Sequence, residues 1–210
     1  MKIGIIGAGN VGGSLGHGWA KCGHEVKYGV RDAASPKVAE LLARTGANAS
    51  AGTVVEAAQF GEVVVLATPW DAARDALTNA GNLNGKILLD CTNPFKQDFS
   101  GLEIGLTTSA GEQVASWAPE AQAVKIFNTA GANIMENPDF GGPQPSMFLC
   151  GDNADAKKTA AQLAADLGFD PVDAGPLEQA RLLEPLAWLW VTMALKYGLG
   201  REIAFKLLRR

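Results

Sequence analysis

The chain has 210 residues, 47% hydrophobic and 19% charged, with a formal net charge of −4. That length can bury a sizeable core, and the acidic balance excludes the basic face that nucleic-acid binding or a polybasic membrane surface requires. Met1-Lys2 leads straight into a strand-like run without a signal-peptide pattern. The longest apolar stretch, Leu186 to Leu195, falls well short of the roughly 20 residues of a membrane span, so a cytoplasmic location is expected.

Lys2 to Gly7 reads as a buried strand ending in glycine, and Asn10 to Cys22 places Val11, Leu15, Trp19 and Cys22 at helical spacing. Gly23-His24 stops that helix and Glu25 to Val30 is the next strand. Pro36 opens a second helix with Val38, Leu41 and Leu42 on its apolar face. The continuous Val/Leu run within Gly61 to Thr68 predicts a strand buried on both faces. A helix over Asp71 to Ala80, a strand over Lys86 to Cys91, a helix over Ser109 to Trp117 and a strand over Ala123 to Phe127 follow.

Residues 129–145 change character. Asn137-Pro138, Gly141-Gly142-Pro143 and Pro145 mark a loop. One more strand-helix-strand unit follows, Ser146 to Cys150, Ala154 to Leu167 and Asp170 to Asp173, and residues 177–210 read as helical, with a kink at Pro185 and an interruption at Gly198 and Gly200. The pattern predicts an α/β fold: a Rossmann-type, doubly wound, mostly parallel sheet with a C-terminal β-α-β and helical extension. The expected division is 1–128 for a dinucleotide-binding domain and 129–210 for the extension.

Gly7-Ala8-Gly9-Asn10-Val11-Gly12 matches G-x-G-x-x-G between the first strand and the first helix. In that setting the first glycine allows the turn, the second lets the backbone approach a pyrophosphate, and the third lets helix pack on strand. The helix start then offers free N–H groups and a positive dipole to the phosphates. An NAD-specific protein ends its second strand in an acid that holds the ribose 2′-hydroxyl. Here that position falls at Val30, and Arg31 follows, with Lys37 close behind. Arginine at this tip suits a 2′-phosphate, so NADP(H) is the expected cofactor. Asp32 stands at the spacing that simple counting assigns to NAD, but the acid must sit at the strand tip, so alignment to the strand decides.

Reduction of an alcohol or ketone moves a proton with the hydride and normally places His, Lys or Tyr beside the nicotinamide. His17 lies on the first helix and His24 in the turn after it, both expected to be structural. Lys125 lies in a strand, and Lys196 and Tyr197 are expected at the polar edge of the last helix, so no residue is assigned as catalytic acid or base. Thr68-Pro69-Trp70, Asn93-Pro94 and Asn128-Thr129-Ala130 instead follow C-terminal strand ends, which form the ligand crevice of an open α/β sheet. Amides, hydroxyls and one aromatic suit the alignment of a flat ring. Cys22, Cys91 and Cys150 stand apart without a CxxC pair and are expected as buried thiols in a reducing compartment, with no metal site.

Several stretches carry a family resemblance: Gly7 to Gly12, Gly29-Val30-Arg31, Thr68-Pro69-Trp70, Val124-Lys125-Ile126-Phe127-Asn128-Thr129, Gly151-Asp152, Asp173-Ala174-Gly175-Pro176-Leu177, Ala180-Arg181-Leu182-Leu183-Glu184 and Gly198-Leu199-Gly200. In these the chain resembles the coenzyme-F420-dependent NADP oxidoreductases and the related cytosolic reductase domain of the six-transmembrane metalloreductases. The resemblance implies NADP(H) at the glycine turn, with Ala8 to Val11 on the phosphates and Arg31 on the 2′-phosphate. It also implies Thr68 to Trp70 and Asn128 to Ala130 near the nicotinamide, and hydride transfer to a flavin-like acceptor such as F420, FMN or FAD. The chain departs from the family at Val30, where serine is usual, and at Phe127-Asn128, where the F420 enzymes carry a histidine.

The expected function is therefore NADP(H)-dependent hydride transfer to a planar small-molecule acceptor, with the helix from Leu177 onward closing the acceptor side. Leu186, Trp188, Leu189, Trp190 and Met193 form a wide apolar surface that suits a homodimer. A pyrroline-carboxylate-type or imine reductase, and an NADP(H)-binding redox sensor, are the competing expectations.

Overall fold

The structure is a computed structural model describing residues 1–210. Its strands are β1 (Lys2–Ile6), β2 (Glu25–Gly29), β3 (Ala49–Gly52), β4 (Val63–Leu66), β5 (Ile87–Asp90), β6 (Gln122–Ile126), β7 (Ser146–Gly151) and β8 (Asp170–Asp173). They form one sheet in the order β3-β2-β1-β4-β5-β6-β7-β8. All neighbours pair parallel except β6 and β7. The expected Rossmann-type sheet is thus present, and the later strand-helix-strand unit joins it as a reversed edge. The boundary expected at 128 lies between β6 and β7, which are hydrogen-bonded neighbours.

The helices are α1 (Asn10–Lys21), α2 (Pro36–Thr45), α3 (Val54–Phe60), α4 (Trp70–Ala80), α5 (Ala110–Trp117), α6 (Ala132–Glu136), α7 (Ala154–Asp166) and α8 (Ala180–Val191). Alternation along the central strands divides the core. Ile3, Ile5, Val63 and Val65 join Leu15, Trp19, Phe127 and Leu163 on one face. Ile6, Val64 and Leu66 join Ala73, Leu77 and Val114 on the other. Val63–Leu66 is buried throughout, as a strand covered on both faces must be.

Three segments depart from expectation. β3 and α3 occupy the stretch between the second helix and the Val/Leu run. Ala49-Ser50-Ala51-Gly52 has side chains too small to register as an apolar run, yet it pairs with β2 along its length. A capping box starts α3: Thr53 accepts from Glu56 N–H, and the Glu56 carboxylate accepts from Thr53 N–H at 2.7 Å. Residues 132–136, expected as loop, form the short helix α6.

The C-terminal segment is the clearest correction. Helix runs through Pro185 to Val191 and continues as one wide turn over Thr192–Lys196, but it does not extend to residue 210. Gly198 and Gly200 adopt φ of +75° and +74°, a left-handed geometry that ends helices. The tail then runs as an irregular strap: Phe205 O accepts from Ser146 N–H at 2.9 Å, and Trp190 Nε1 donates to Ile203 O at 2.8 Å. No helix is long and apolar enough to cross a membrane.

Candidate active site

The glycine turn is made by backbone crowding. Gly7 has φ +106°, and a Cβ there would lie 2.5 Å from Ala67 O. At Gly12 a Cβ would lie 2.0 Å from Gly7 O, so only glycine lets α1 sit this close to β1. Gly9 is different: nothing lies within 4 Å of where its Cβ would be. It caps α1 without a side-chain hydrogen bond, and the first turn carries no acid. Free helix-start amides facing open space fit a pyrophosphate.

A cleft of about 970 Å³ runs from this helix start to α8. Small-molecule sites span roughly 300–1,000 Å³, which puts this one at the large end. Of the residues expected at the site, Ala8, Gly9, Asn10, Val11, Lys37, Asn93, Asn128 and Ala130 line it. Gly7 and Gly12 support the turn from beneath. Val30 is half-buried against the core, and its N–H donates to Gly52 O at 2.9 Å. Arg31 is exposed at the tip of β2, outside the lining. Asp32, the acid favoured by counting, accepts from Ala34 N–H at 3.0 Å within its own turn.

Thr68, Pro69 and Trp70 do not line the cleft. Pro69 is the exposed N-cap of α4. Trp70 stacks on Trp117 of α5, with centroids 5.3 Å apart at 24°. The indole expected against a flat ring thus packs over the opposite layer of helices. Thr68 Oγ1 is buried without a partner.

Asn93 and Asn128 do meet. Asn93 Nδ2 donates to Asn128 O at 2.9 Å, and Asn128 Nδ2 donates to Asn93 Oδ1 at 3.1 Å and to Leu183 O at 3.1 Å. Phe127, just before, has φ +62°, a left-handed geometry that costs a bulky residue about 1–3 kcal/mol. Its ring is held edge-on to Trp19 at 5.6 Å. This residue turns the chain where β6 ends, at the position of Asn128. Asn128 is 5% exposed and its Oδ1 has no hydrogen-bond partner. A buried orphan acceptor in a residue that lines the cleft would be satisfied by a ligand that brings a donor, such as a carboxamide N–H₂. Thr129 and Pro94 are buried beside the pair.

α8 supplies the far wall. It packs on α5 through Glu184, and Trp190 lies against Gly131, where a Cβ would meet the indole at 2.8 Å. It therefore crosses above the C-terminal ends of β5 and β6. Ala187, Trp190 and Val191 of this helix line the cleft, as do Phe95, Leu195 and Arg201. Sequence reasoning missed Phe95, Arg201, and the Ser14–Glu136–Arg44 contacts on the cleft floor, at 3.4 and 3.2 Å. It also passed over a buried cluster of Lys125, Asp90 and Glu184. The available signal was one ionisable residue inside each of three apolar runs.

The other titratable residues behave structurally. His24 Nε2 pairs with Asp166 at 2.9 Å, and His17 is buried on α1, where burial and then the Lys21 charge hold its pKa below the ordinary value. Lys196 lies 4.9 Å over the Trp188 ring, and Tyr197 is exposed. Cys91 and Cys150 are buried, and burial pushes the Cys150 thiol up to about 12. Cys22, expected to be buried, is instead an exposed free thiol in the turn after α1.

A family model described as NADP oxidoreductase, coenzyme F420-dependent, matches residues 2–94. The chain is 31% identical over 212 residues to an F420-dependent NADP reductase of Methanothermobacter marburgensis, with 93% of each protein covered. It is 31% identical over 186 residues to metalloreductase STEAP3 of Rattus norvegicus, covering 88% of this chain but only 36% of that longer protein. A crystal structure of an Arthrobacter sp. FB24 protein matches over the whole of both chains, with a TM-score of 0.90 and 36% identity. A reductive aminase of Aspergillus terreus, in complex with NADPH, has a TM-score of 0.67 and 21% identity, covering 94% of this chain and 63% of its own; at that identity the likeness is one of fold. Its glycine turn, its mostly parallel sheet and its end-to-end match to a reductase relative together show that the chain belongs to the coenzyme-F420-dependent NADP oxidoreductase family and is an NADP-dependent oxidoreductase.

Proposed function

We propose that the cleft holds NADP(H) along its length and serves hydride transfer between the nicotinamide and a planar acceptor of the flavin or deazaflavin type, F420, FMN or FAD. When bound, NADPH supplies a hydride at the nicotinamide ring. The chain supplies its placement. Ala8 to Val11 and the α1 amides hold the phosphates, and Arg31 with Lys37 holds the 2′-phosphate. Asn128 Oδ1 takes a carboxamide N–H, and Ala130 borders the ring.

The observation that carries this reading is the chemistry of the far end. Phe95, Ala187, Trp190, Val191 and Leu195 line the cleft together with the Asn93–Asn128 pair, and Arg201 is the one charged lining residue that lies outside α2 and α6. A guanidinium keeps its proton. The cleft's remaining charges, Lys37, Glu40, Arg44 and Glu136, lie on α2 and α6. An apolar and aromatic wall with fixed amides aligns a flat ring, whereas reduction of a cyclic imine needs a proton donor beside the reacting atoms. Of the apolar surface expected for a homodimer, Leu189 is exposed and Trp190 is buried; Leu189 with the exposed Leu182 and Leu195 belongs to the reading as a self-association surface.

The test is NADPH oxidation by the purified protein with F420, FMN, FAD, ferric chelates and a cyclic imine in turn. Turnover on a planar ring is the expected result. Turnover on the imine alone would transfer the assignment to imine reduction, and tight NADPH binding without any turnover would favour a sensor.

A further inference from the structure

Lys125 stands in β6 directly across from Asp90 on β5, and its side chain is 0% exposed. Its Nζ lies 2.9 Å from Asp90 Oδ2 and 3.0 Å from Glu184 Oε1, and it donates to Thr92 O at 2.6 Å. The three ammonium protons are then all used. Asp90 Oδ1 accepts from Thr92 N–H at 2.9 Å and from Thr92 Oγ1 at 2.7 Å. Glu184 accepts from Ala110 N–H at 3.0 Å and Gly111 N–H at 2.9 Å, in the first turn of α5. Burial alone would depress the lysine, but Asp90 and then Glu184 outweigh it and hold Lys125 above its ordinary value.

Three buried charges are a poor device for stability, because a well-packed apolar replacement is often as stable or more so. Their place in the chain gives them another use. Thr92 directly precedes Asn93. Asn128 lies three residues beyond Lys125, and its Nδ2 donates to Leu183 O, next to Glu184. Ala187, one turn on from Glu184, lines the cleft. The cluster therefore joins the end of β5, the end of β6 and α8 at points one to three residues from the cleft wall. The Asn128 side chain, whose Oδ1 is the orphan acceptor, is tied to that junction by its Nδ2 bonds to Asn93 Oδ1 and Leu183 O.

We propose that Lys125, Asp90 and Glu184 are positioning residues that lock the Asn93–Asn128 amide pair and the α8 wall in the mutual placement hydride transfer requires. This rests on the reading of the cleft given above. The cluster touches neither the cofactor nor the acceptor and acts through Asn128.

A cycle of Glu184→Gln, Asn128→Ala and the double variant tests the idea. Glu184→Gln keeps side-chain volume and leaves Lys125 and Asp90 as a neutral pair. It is expected to slow hydride transfer by about tenfold or more, since small misplacements have effects of that size. It should also raise the isotope effect with 4-deuterated NADPH, while KM for NADPH stays within about threefold. In the Asn128→Ala background the same substitution should add nothing, because both act on one placement. Multiplying effects, or an unchanged rate alongside a lowered Tm, would overturn the proposal.

Fluorescence of bound NADPH gives a readout independent of any acceptor. Its anisotropy should fall in Glu184→Gln as the nicotinamide loosens, and wild-type anisotropy would count against positioning. A wild-type protein that reduces no planar acceptor sinks the functional reading, while the fluorescence comparison still decides this one. Should Glu184→Gln fail to fold, Asp90→Asn enters the same cycle with the same expected outcomes.

Discussion

In the proposed reading, the phosphate end of the cleft works through the main chain, and the acceptor end works through side chains gathered from distant segments. Gly7 to Gly12 is a single hexapeptide whose working groups are amides, a helix dipole and the absence of Cβ atoms. The other end unites Asn93, Asn128, Ala187 and Trp190, which meet only because α8 crosses above the ends of β5 and β6. Main-chain recognition tolerates no change of geometry but few demands on side-chain identity. Side-chain recognition can be retuned one residue at a time, which suits a wall proposed to select an acceptor.

The sharpest way to break the comparison is Gly12→Val. Its Cβ would lie 2.0 Å from Gly7 O, so backbone must move. A loss of about 3 kcal/mol or more is expected, at the top of the overpacking range, together with loss of NADPH binding. Chemical denaturation and a binding titration measure both. A stable Gly12→Val protein that binds NADPH normally would show that close packing of α1 on β1 is dispensable.

That asymmetry also governs how much the sequence discloses. The glycine turn is contiguous, and most strands announce themselves as apolar runs, so the sheet and the turn at the start of α1 are both legible. β3 is not, because Ala49-Ser50-Ala51-Gly52 takes its strand geometry from pairing with β2 rather than from its own side chains. The strap after Gly200 has a polar-apolar pattern compatible with a helix, whereas contacts with Ser146 and Trp190 decide its path. Trp70 shows the limit most plainly. Its position after a strand end pointed to the crevice, but Trp117, distant in sequence, captures the ring. The Asn93–Asn128 pair and the Lys125 cluster depend on register between β5 and β6, which no local pattern encodes.

A milder test sharpens the phosphate end. Arg31 is exposed, forms no ion pair and follows an apolar Val30, while Asp32 is occupied by its own turn. Arg31→Ala should reduce the NADPH-to-NADH preference about tenfold, the value of one charge-assisted hydrogen bond. Titration with both nucleotides reads it directly. An unchanged ratio would assign the discrimination to Lys37 or to another residue.

The smallest expected effect concerns His17 on α1. Burial is the chief cause of its lowered pKa, followed by the charge of Lys21. The folded protein therefore resists protonation that the unfolded chain accepts below its ordinary 6.5. Stability from this residue is complete above that pH and declines as pH falls toward the lower folded value. The Tm should drop between pH 7.5 and 5.5 (a window of about two units around the ordinary histidine value), and His17→Gln should flatten that portion of the profile. A profile identical to wild type would remove His17 from the pH response.

The most direct measurement of the central claim is a single turnover with NADPH deuterated at nicotinamide C4, followed by mass analysis of the acceptor. With a deazaflavin, direct hydride transfer predicts that the deuterium appears on carbon of the reduced ring and is absent from solvent. With that deazaflavin, deuterium found only in solvent would contradict the account, as would deuterium carried only to a cyclic imine.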